Sequence, residues 1–454
     1  MPEIREVSPI RKVGLKIGSH SHIKGLGLDE KGKARPIADG LVGQLEAREA
    51  AGIIVNLVKE GKMGGKGVLI IGPPSTGKTA IALAIAKELG EDTPFTAINA
   101  SEIYSMEIKK AEILTQALRK SIGIRIKQTR NVYEGAIKEI KFRVVKSSWS
   151  PYAGTPREAT LTLKTKDEEK TINVGEEIAS QLAGLRARKG DVIWIDADTG
   201  EVHKVGRTKG IEGAKEFDIE GERIIEIPSG PVRKTKDMVF TVTLHDLDLS
   251  ASMQNIQFQV LFGLFTERQI NDEIRREVDK SVRKMVGEGK GELVTGVLFI
   301  DEANMLDMEA FSFLNRALES DLSPLVILAT NRGITKIRGS DLESPHGMPL
   351  DLLDRVLIIR TTLYSEEELR EILKIRAEEL DVELTKDGLE SLTKVAKESG
   401  LRYAVSIMEP ALTFAKRAGR QAVTSSDVEA VRNLFLDVKR STEYVSKFES
   451  YMLK

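Results

Sequence analysis

The run Gly72-Pro73-Pro74-Ser75-Thr76-Gly77-Lys78-Thr79 fills every fixed position of the pattern G-x-x-x-x-G-K-[ST]. Glycines let such a loop wrap an anion. Its N–H groups, and the first turn of the helix behind it, supply partial positive charge. Lys78 would reach the β- and γ-phosphates, and the Thr79 hydroxyl would ligate Mg2+. This chemistry needs an acidic partner, and Asp301-Glu302 closes the apolar run Gly296-Val-Leu-Phe-Ile300. Asp301 would hold the metal with Thr79, and Glu302 would orient and polarise the attacking water. The spacing thus predicts binding and hydrolysis of a nucleoside triphosphate.

Two further residues could complete the site. Asn331 follows the apolar run Pro324-Leu-Val-Ile-Leu-Ala329, where its amide could hold the lytic water and sense the γ-phosphate; it could equally be a turn residue. Arg355 precedes the run Val356 to Ile359. It could be a finger that neutralises charge at a neighbouring subunit's γ-phosphate, or a surface partner of Asp351 or Asp354.

The elements that must position these residues are legible. Val68 to Ile71, Gly296 to Ile300 and Pro324 to Ala329 read as buried strands, and Ala80 to Leu89 reads as a helix. Ala310, Phe311, Leu314, Ala317 and Leu318 share one helical face. Gly90 and Gly400 read as helix stops, and Ser365-Glu-Glu-Glu368 and Ser426-Asp-Val-Glu429 as capping boxes. Pro410 should kink or break the helix after Arg402. The 454 residues carry a net charge of −1, so the whole chain gives no electrostatic sign of nucleic acid or membrane. No cysteine is present, which excludes disulfides and thiolate metal sites. No apolar run reaches the length of a membrane span and no signal peptide is visible, so a cytoplasmic protein without membrane contact is expected. Charged residues at 30% with no cysteine fit a thermophile.

Taken in order, these pieces resemble the AAA+ ATPases, and more closely the RuvB-like family. The resemblance rests on Gly18-Ser-His20-Ser-His22-Ile-Lys-Gly-Leu-Gly27, Val42-Gly-Gln-Leu45, Asp92-Thr-Pro-Phe-Thr-Ala97 and Ala117 to Arg125. It also rests on Phe311 to Asp321, Ala329 to Thr335, Ser344-Pro-His-Gly347, Asp351 to Arg355 and Arg440-Ser-Thr-Glu-Tyr444. It implies ATP and Mg2+ as cofactors, with His20 and His22 lining the adenine pocket. It implies that Arg402, in Leu401-Arg402-Tyr403, reaches the γ-phosphate as a second sensor. A prokaryotic, archaeal member is expected. Three positions depart from the family pattern, Ser75, Asn304 and the Pro410 already noted. Ser75 stands where a glycine is usual, and its Cβ restricts positive φ. Asn304 stands where a histidine is usual, and it cannot titrate near neutral pH.

Between Lys127 and Thr235 helical periodicity gives way to alternation at Ile140, Phe142 and Val144, and at Leu161 and Leu163. Asp191 to Ile195 and Glu222 to Ile227 read as strands, with Asp198-Thr-Gly200 a turn. Five or so short strands suggest a small β-barrel, and the resemblance implies an OB-fold able to bind single-stranded nucleic acid. Over 127–235 there are 20 Lys+Arg against 18 Asp+Glu, a net of +2, which is not a basic domain. Trp149 and Tyr152, in a Ser-rich loop near Lys146 and Arg157, are the candidate stacking residues.

The expected class is α/β: an AAA+ P-loop core with an inserted all-β, OB-fold-containing domain and a C-terminal helical lid. The core comprises 1–126 and 236–362, the insertion 127–235 and the lid 363–454. Sites shared between subunits close into rings, and the resemblance implies a hexamer, with a stacked dodecamer as the alternative. Two functions fit. One is a 5′-to-3′ DNA helicase or nucleoprotein remodeller, contacting DNA or RNA through the insertion and pore. The other is a chaperone-like platform that assembles protein or RNA–protein complexes.

Overall fold

Runs such as Val68-Leu69-Ile70 offer water no polar face, so they must lie between two covering layers. A computed structural model shows this arrangement. It describes residues 22–90, 92–104, 108–147, 150–185, 187–197, 199–208, 225–261 and 270–448. The chain divides into two compact units, Met1–Ile124 with Val242–Arg283 and Leu293–Lys454, and Arg125–Thr241 with Lys284–Glu292.

In the first unit a five-stranded parallel sheet has the order Val356–Arg360, Gly67–Ile71, Leu325–Thr330, Val297–Asp301, Phe95–Asn99. Side chains alternate between its faces with the period of two that strands impose. Val68, Ile70, Val297 and Phe299 join one core with helices Leu45–Lys59 and Lys78–Leu89. Leu69, Leu298 and Ile300 join the other with helices Lys110–Lys120 and Met308–Leu318. Register sets Ile71 beside Thr330, and Asp301 beside Asn99, so the carboxyl ends form one row. Ligands of open α/β sheets bind at that edge.

Arg48 fastens the segment that leads into this sheet. It is fully buried, yet its guanidinium donates to the carbonyls of Leu26, Gly27, Arg35 and Gly43 at 2.7–3.1 Å. A buried charge so satisfied ties residues 26–43 to the helix Leu45–Lys59.

The lid is helical. Its core gathers Leu373, Leu392, Met408, Ala411 and Val428 from helices Glu366–Glu379, Lys386–Ser399, Met408–Arg417 and Ser425–Leu434. Gly90 and Gly400 cap helix C-termini, and the Ser365–Glu368 capping box forms reciprocally. The later box differs from expectation: Thr424 caps the helix with Asp427, two residues ahead of Ser426. Threonine and aspartate at that spacing satisfy the same orphan N–H groups. The break ahead of Pro410 falls at Ile407, between helices Leu401–Ser406 and Met408–Arg417. Pro410 thus sits in a first turn, where its missing N–H costs nothing.

In the second unit, seven described strands form one sheet. Its central path runs Glu169–Val174, Ser150–Lys164, Ile122–Ser147, Asp191–Asp196, Val202–Arg207, with antiparallel pairing throughout. Leu161 and Leu163 are buried, as their alternation predicts. Three expectations fail. The strands are not all short, since Ile122–Ser147 runs 26 residues; register shifts at Ile137/Glu139 and Arg143/Val144 let it bend. The unit is not all-β, because Glu176–Gly184 is a helix that buries Ala179 and Leu182. Ile225-Glu226-Ile227 forms no strand, and Glu222–Ile224 lies outside the described residues.

Candidate nucleotide site

Gly77 caps the helix Lys78–Leu89 at φ 83°, and Gly72 holds φ 149°. Neither position has room for a side chain: a Cβ on Gly72 would lie 2.2 Å from Thr361 Oγ1, and one on Gly77 2.6 Å from the Tyr364 hydroxyl. The loop thus closes against the chain leaving the edge strand Val356–Arg360. Within it, the buried Thr76 hydroxyl contacts Pro73 O at 2.8 Å and Thr361 Oγ1 at 2.6 Å. Pro73 and Pro74 are exposed.

Ser75 adopts φ 63°, the conformation its Cβ disfavours. A left-handed L-residue is strained by about 1–2 kcal/mol, while glycine adds about 0.5–1 kcal/mol of unfolded-state entropy. Ser75→Gly is therefore expected to raise the melting temperature by about 1–3 °C. A lower melting temperature would refute the strain.

The Lys78 ammonium donates to Gly72 O at 3.0 Å and Pro73 O at 2.7 Å. Burial pushes its pKa down, with Asp301 opposing and the Arg402 charge adding to the fall. The Lys78 ammonium thus lies in the field of one carboxylate, Asp301, and of a second cation, Arg402. Such a set fits a polyanion bound with a divalent cation, which would take over the ammonium's donors from the loop carbonyls. Thr79, in the first helical turn, and Asp301, at its strand's end, are the hydroxyl and carboxylate available to the metal. Arg402 is exposed in the first turn of Leu401–Ser406.

Glu302 stands beyond Asp301 with φ 52° and is exposed. The Asn99 amide, at the end of the neighbouring strand, donates to Glu302 Oε2 at 3.3 Å, while its oxygen accepts from Ser101 N and Ser101 Oγ. Sequence reading missed Asn99, which ends the strand Phe95–Asn99 two residues past the motif Asp92 to Ala97. Asn331 is exposed immediately past Thr330. The Thr330 hydroxyl donates to Asn304 Oδ1 at 3.0 Å, so Asn304 links two strand ends without a titratable group.

Arg355 lies elsewhere. Val356 is paired with Gly67, at the amino end of the P-loop strand, and Gly67 N donates to Arg355 O at 3.0 Å. Five residues of strand separate it from the loop, about 16 Å at 3.3 Å each. Its guanidinium pairs with Glu319, not with Asp351 or Asp354. Asp351 instead accepts from the Asn315 amide at 2.8 Å.

His22 pairs through Nδ1 with Glu379 Oε2 at 3.0 Å, at the end of the first lid helix, where Arg376 also meets Glu379. The expected adenine-pocket partner His20 lies outside the described residues. Among the described residues no cluster of three or more His, Cys, Asp and Glu side chains could hold a metal.

A P-loop at the carboxyl edge of a parallel sheet, an acidic strand end one strand removed from it and a helical lid define an AAA+ ATPase. The family model described as the TIP49 P-loop domain matches residues 16–367, and that of the TIP49 AAA-lid domain matches 372–437. The chain belongs to this TIP49, or RuvB-like, family. It is 46% identical over 446 residues to "RuvB-like helicase 1" of Candida albicans (strain SC5314), covering 96% of each chain. It is 44% identical over 460 residues to the protein of the same name in Candida glabrata (strain ATCC 2001), covering 100% of each. Both are fungal and lend no support to the archaeal expectation. No helix among the described residues is long and apolar enough to cross a membrane.

Proposed function

We propose that this protein is an ATP-hydrolysing ring motor that couples turnover to DNA unwinding or nucleoprotein remodelling. The reading rests on the convergence of Lys78, Asp301 and Arg402 at the P-loop while Arg355 lies about one strand length, roughly 16 Å, away. Mg2+ with ATP supplies a polarised γ-phosphate in such sites. Lys78 and Arg402 would neutralise charge on the phosphates, and Thr79 and Asp301 would fix the metal. Glu302 would accept a proton from the attacking water, which Asn331 helps to orient. His20 and His22 would lie by the adenine. Arg355 would act on the neighbour's nucleotide, which requires a ring; a hexamer, or two stacked, satisfies that geometry. Residues 1–126 and 236–362 would serve as the ATPase core, 127–235 as an OB-type insertion and 363–454 as the lid. The relatives' name, helicase, favours a nucleic acid as cargo.

One observation favours the second reading, an assembly platform for protein or RNA–protein complexes. In the insertion, cations are spent on local acids: Lys138 with Glu169, Arg143 with Glu158, Arg130 with Asp196, and both Lys234 and Lys236 with Glu134. With 20 Lys+Arg against 18 Asp+Glu over 127–235, the insertion has almost no net charge to attract phosphates, whose contacts dominate nucleic-acid affinity.

Steady-state ATP hydrolysis with and without single- and double-stranded DNA, across salt concentrations, separates the two. Salt-sensitive stimulation supports the DNA motor, whereas a slow rate indifferent to DNA supports the platform. Trp149 lies outside the described residues, as does the Tyr152 side chain, so the proposed DNA contact is tested directly. Trp149→Ala should weaken single-stranded DNA binding about tenfold, the effect of one lost base stack. Unchanged affinity removes that contact.

A further inference from the structure

We infer that residues Thr361 to Tyr364 form a strap that senses the P-loop and drives the lid, with Thr361 and Tyr364 as its positioning residues. The inference rests on the reading of the P-loop as an ATP site. No sequence motif pointed to these residues.

The strap touches both ends of the loop. Thr361 is buried, and its N–H donates to Ile71 O at 2.8 Å, one residue before Gly72. Its hydroxyl lies 2.6 Å from Thr76 Oγ1 and 3.1 Å from Ile71 O, in the space a Cβ on Gly72 would fill. Thr76 Oγ1 also reaches Pro73 O. Two hydroxyl protons thus serve three contacts: the proton between the threonines comes either from Thr361, with Thr76 bonded to Pro73 O, or from Thr76, with Thr361 bonded to Ile71 O. Pro73 O is also an acceptor for Lys78. If Lys78 moves from that carbonyl to a phosphate, the balance between the two arrangements shifts.

At the other end, the Tyr364 hydroxyl occupies the space beside Gly77. Burial pushes its pKa up to about 12, and Gln44 bonds it. A phenol so buried stays protonated at neutral pH, and its oxygen accepts from Gln44. Between the two, the Gln44 amide grips the strap backbone, donating to Thr362 O at 2.6 Å and accepting from Thr362 N at 3.1 Å. Gln44 is itself held at φ 51° after Gly43, whose missing Cβ leaves room for Glu368. The next residue, Ser365, is the N-cap of the lid helix Glu366–Glu379, closed by Glu368. No slack remains between the P-loop and the capped helix, so displacement of the loop by phosphate is passed to the lid.

The test compares Thr361→Val, Thr361→Ser and Tyr364→Phe with the wild-type chain. Calorimetric affinity for MgATP and MgADP, kcat, and hydrogen exchange in residues 366–379 with and without MgADP are measured. Thr361→Val should bind MgATP about 5- to 10-fold more weakly, the effect of one buried hydrogen bond, and Thr361→Ser should restore it. Tyr364→Phe should keep affinity within about threefold yet lose the MgADP-dependent change in exchange and lower kcat about tenfold. If both variants match the wild type in affinity, kcat and exchange, the strap is refuted. Equal loss in Thr361→Val and Thr361→Ser also refutes it, since packing and not the hydroxyl would then matter. A wild-type chain that binds no MgATP refutes the ATP reading and the strap together.

Discussion

Arg355→Ala is expected to bind MgATP as the wild type does and to lose turnover by about 10³- to 10⁵-fold, the range for a removed arginine finger. Arg355 begins the edge strand at the end of the sheet opposite the P-loop, too distant to act on its own nucleotide. In the isolated chain it pairs with Glu319, an exposed contact of the kind that contributes little to stability. The variant should therefore melt within about 1–2 °C of the wild type while losing activity. Normal turnover with normal affinity would return Arg355 to its bland role as a surface partner of Glu319.

The second large effect belongs to Glu302. Glu302→Gln is expected to lower kcat by about 10²- to 10⁴-fold with nucleotide affinity retained, since an amide keeps the shape but cannot accept the proton. Glu302 holds φ 52°, a conformation non-glycine residues adopt at a cost of about 1–2 kcal/mol, and it does so next to Asp301. Strain kept at that position fits a constrained functional site. Asn99 bonds the carboxylate and would hold it from the water until the nucleotide draws it away. Single-turnover hydrolysis checks this, and a burst of wild-type amplitude and rate in Glu302→Gln would overturn it.

The sequence carried the site further than it carried the insertion, for physical reasons. Buried parallel strands must be continuous apolar runs, so the strands ending at Ile71, Asp301 and Thr330 are visible as such. Helix ends at Gly90 and Gly400 are visible because a left-handed or open cap needs glycine. Phe95–Asn99, an edge strand with Thr96 and Asn99 in it, has no such run. The insertion's helix Glu176–Gly184 is nine residues long and shows only Ala179 and Leu182 to its core, too few for a periodic signal. The contacts of Thr361, Tyr364, Gln44 and Glu319 were invisible for another reason. They join residues far apart in the chain, as in the 285 residues between Thr76 and Thr361.

The claim most exposed to experiment is that each catalytic site is built from two subunits. Lys78→Ala removes the lysine proposed to bind phosphate and Arg355→Ala the proposed finger, so each variant alone should be inactive. Rings reconstituted from equal amounts of both should regain activity, because about a quarter of random neighbours in a closed ring pair an intact P-loop with an intact finger. Activity in the mixture well above the sum of the separate variants is the result the shared site predicts. A mixture as inactive as its parts, in rings shown to contain both, would contradict it.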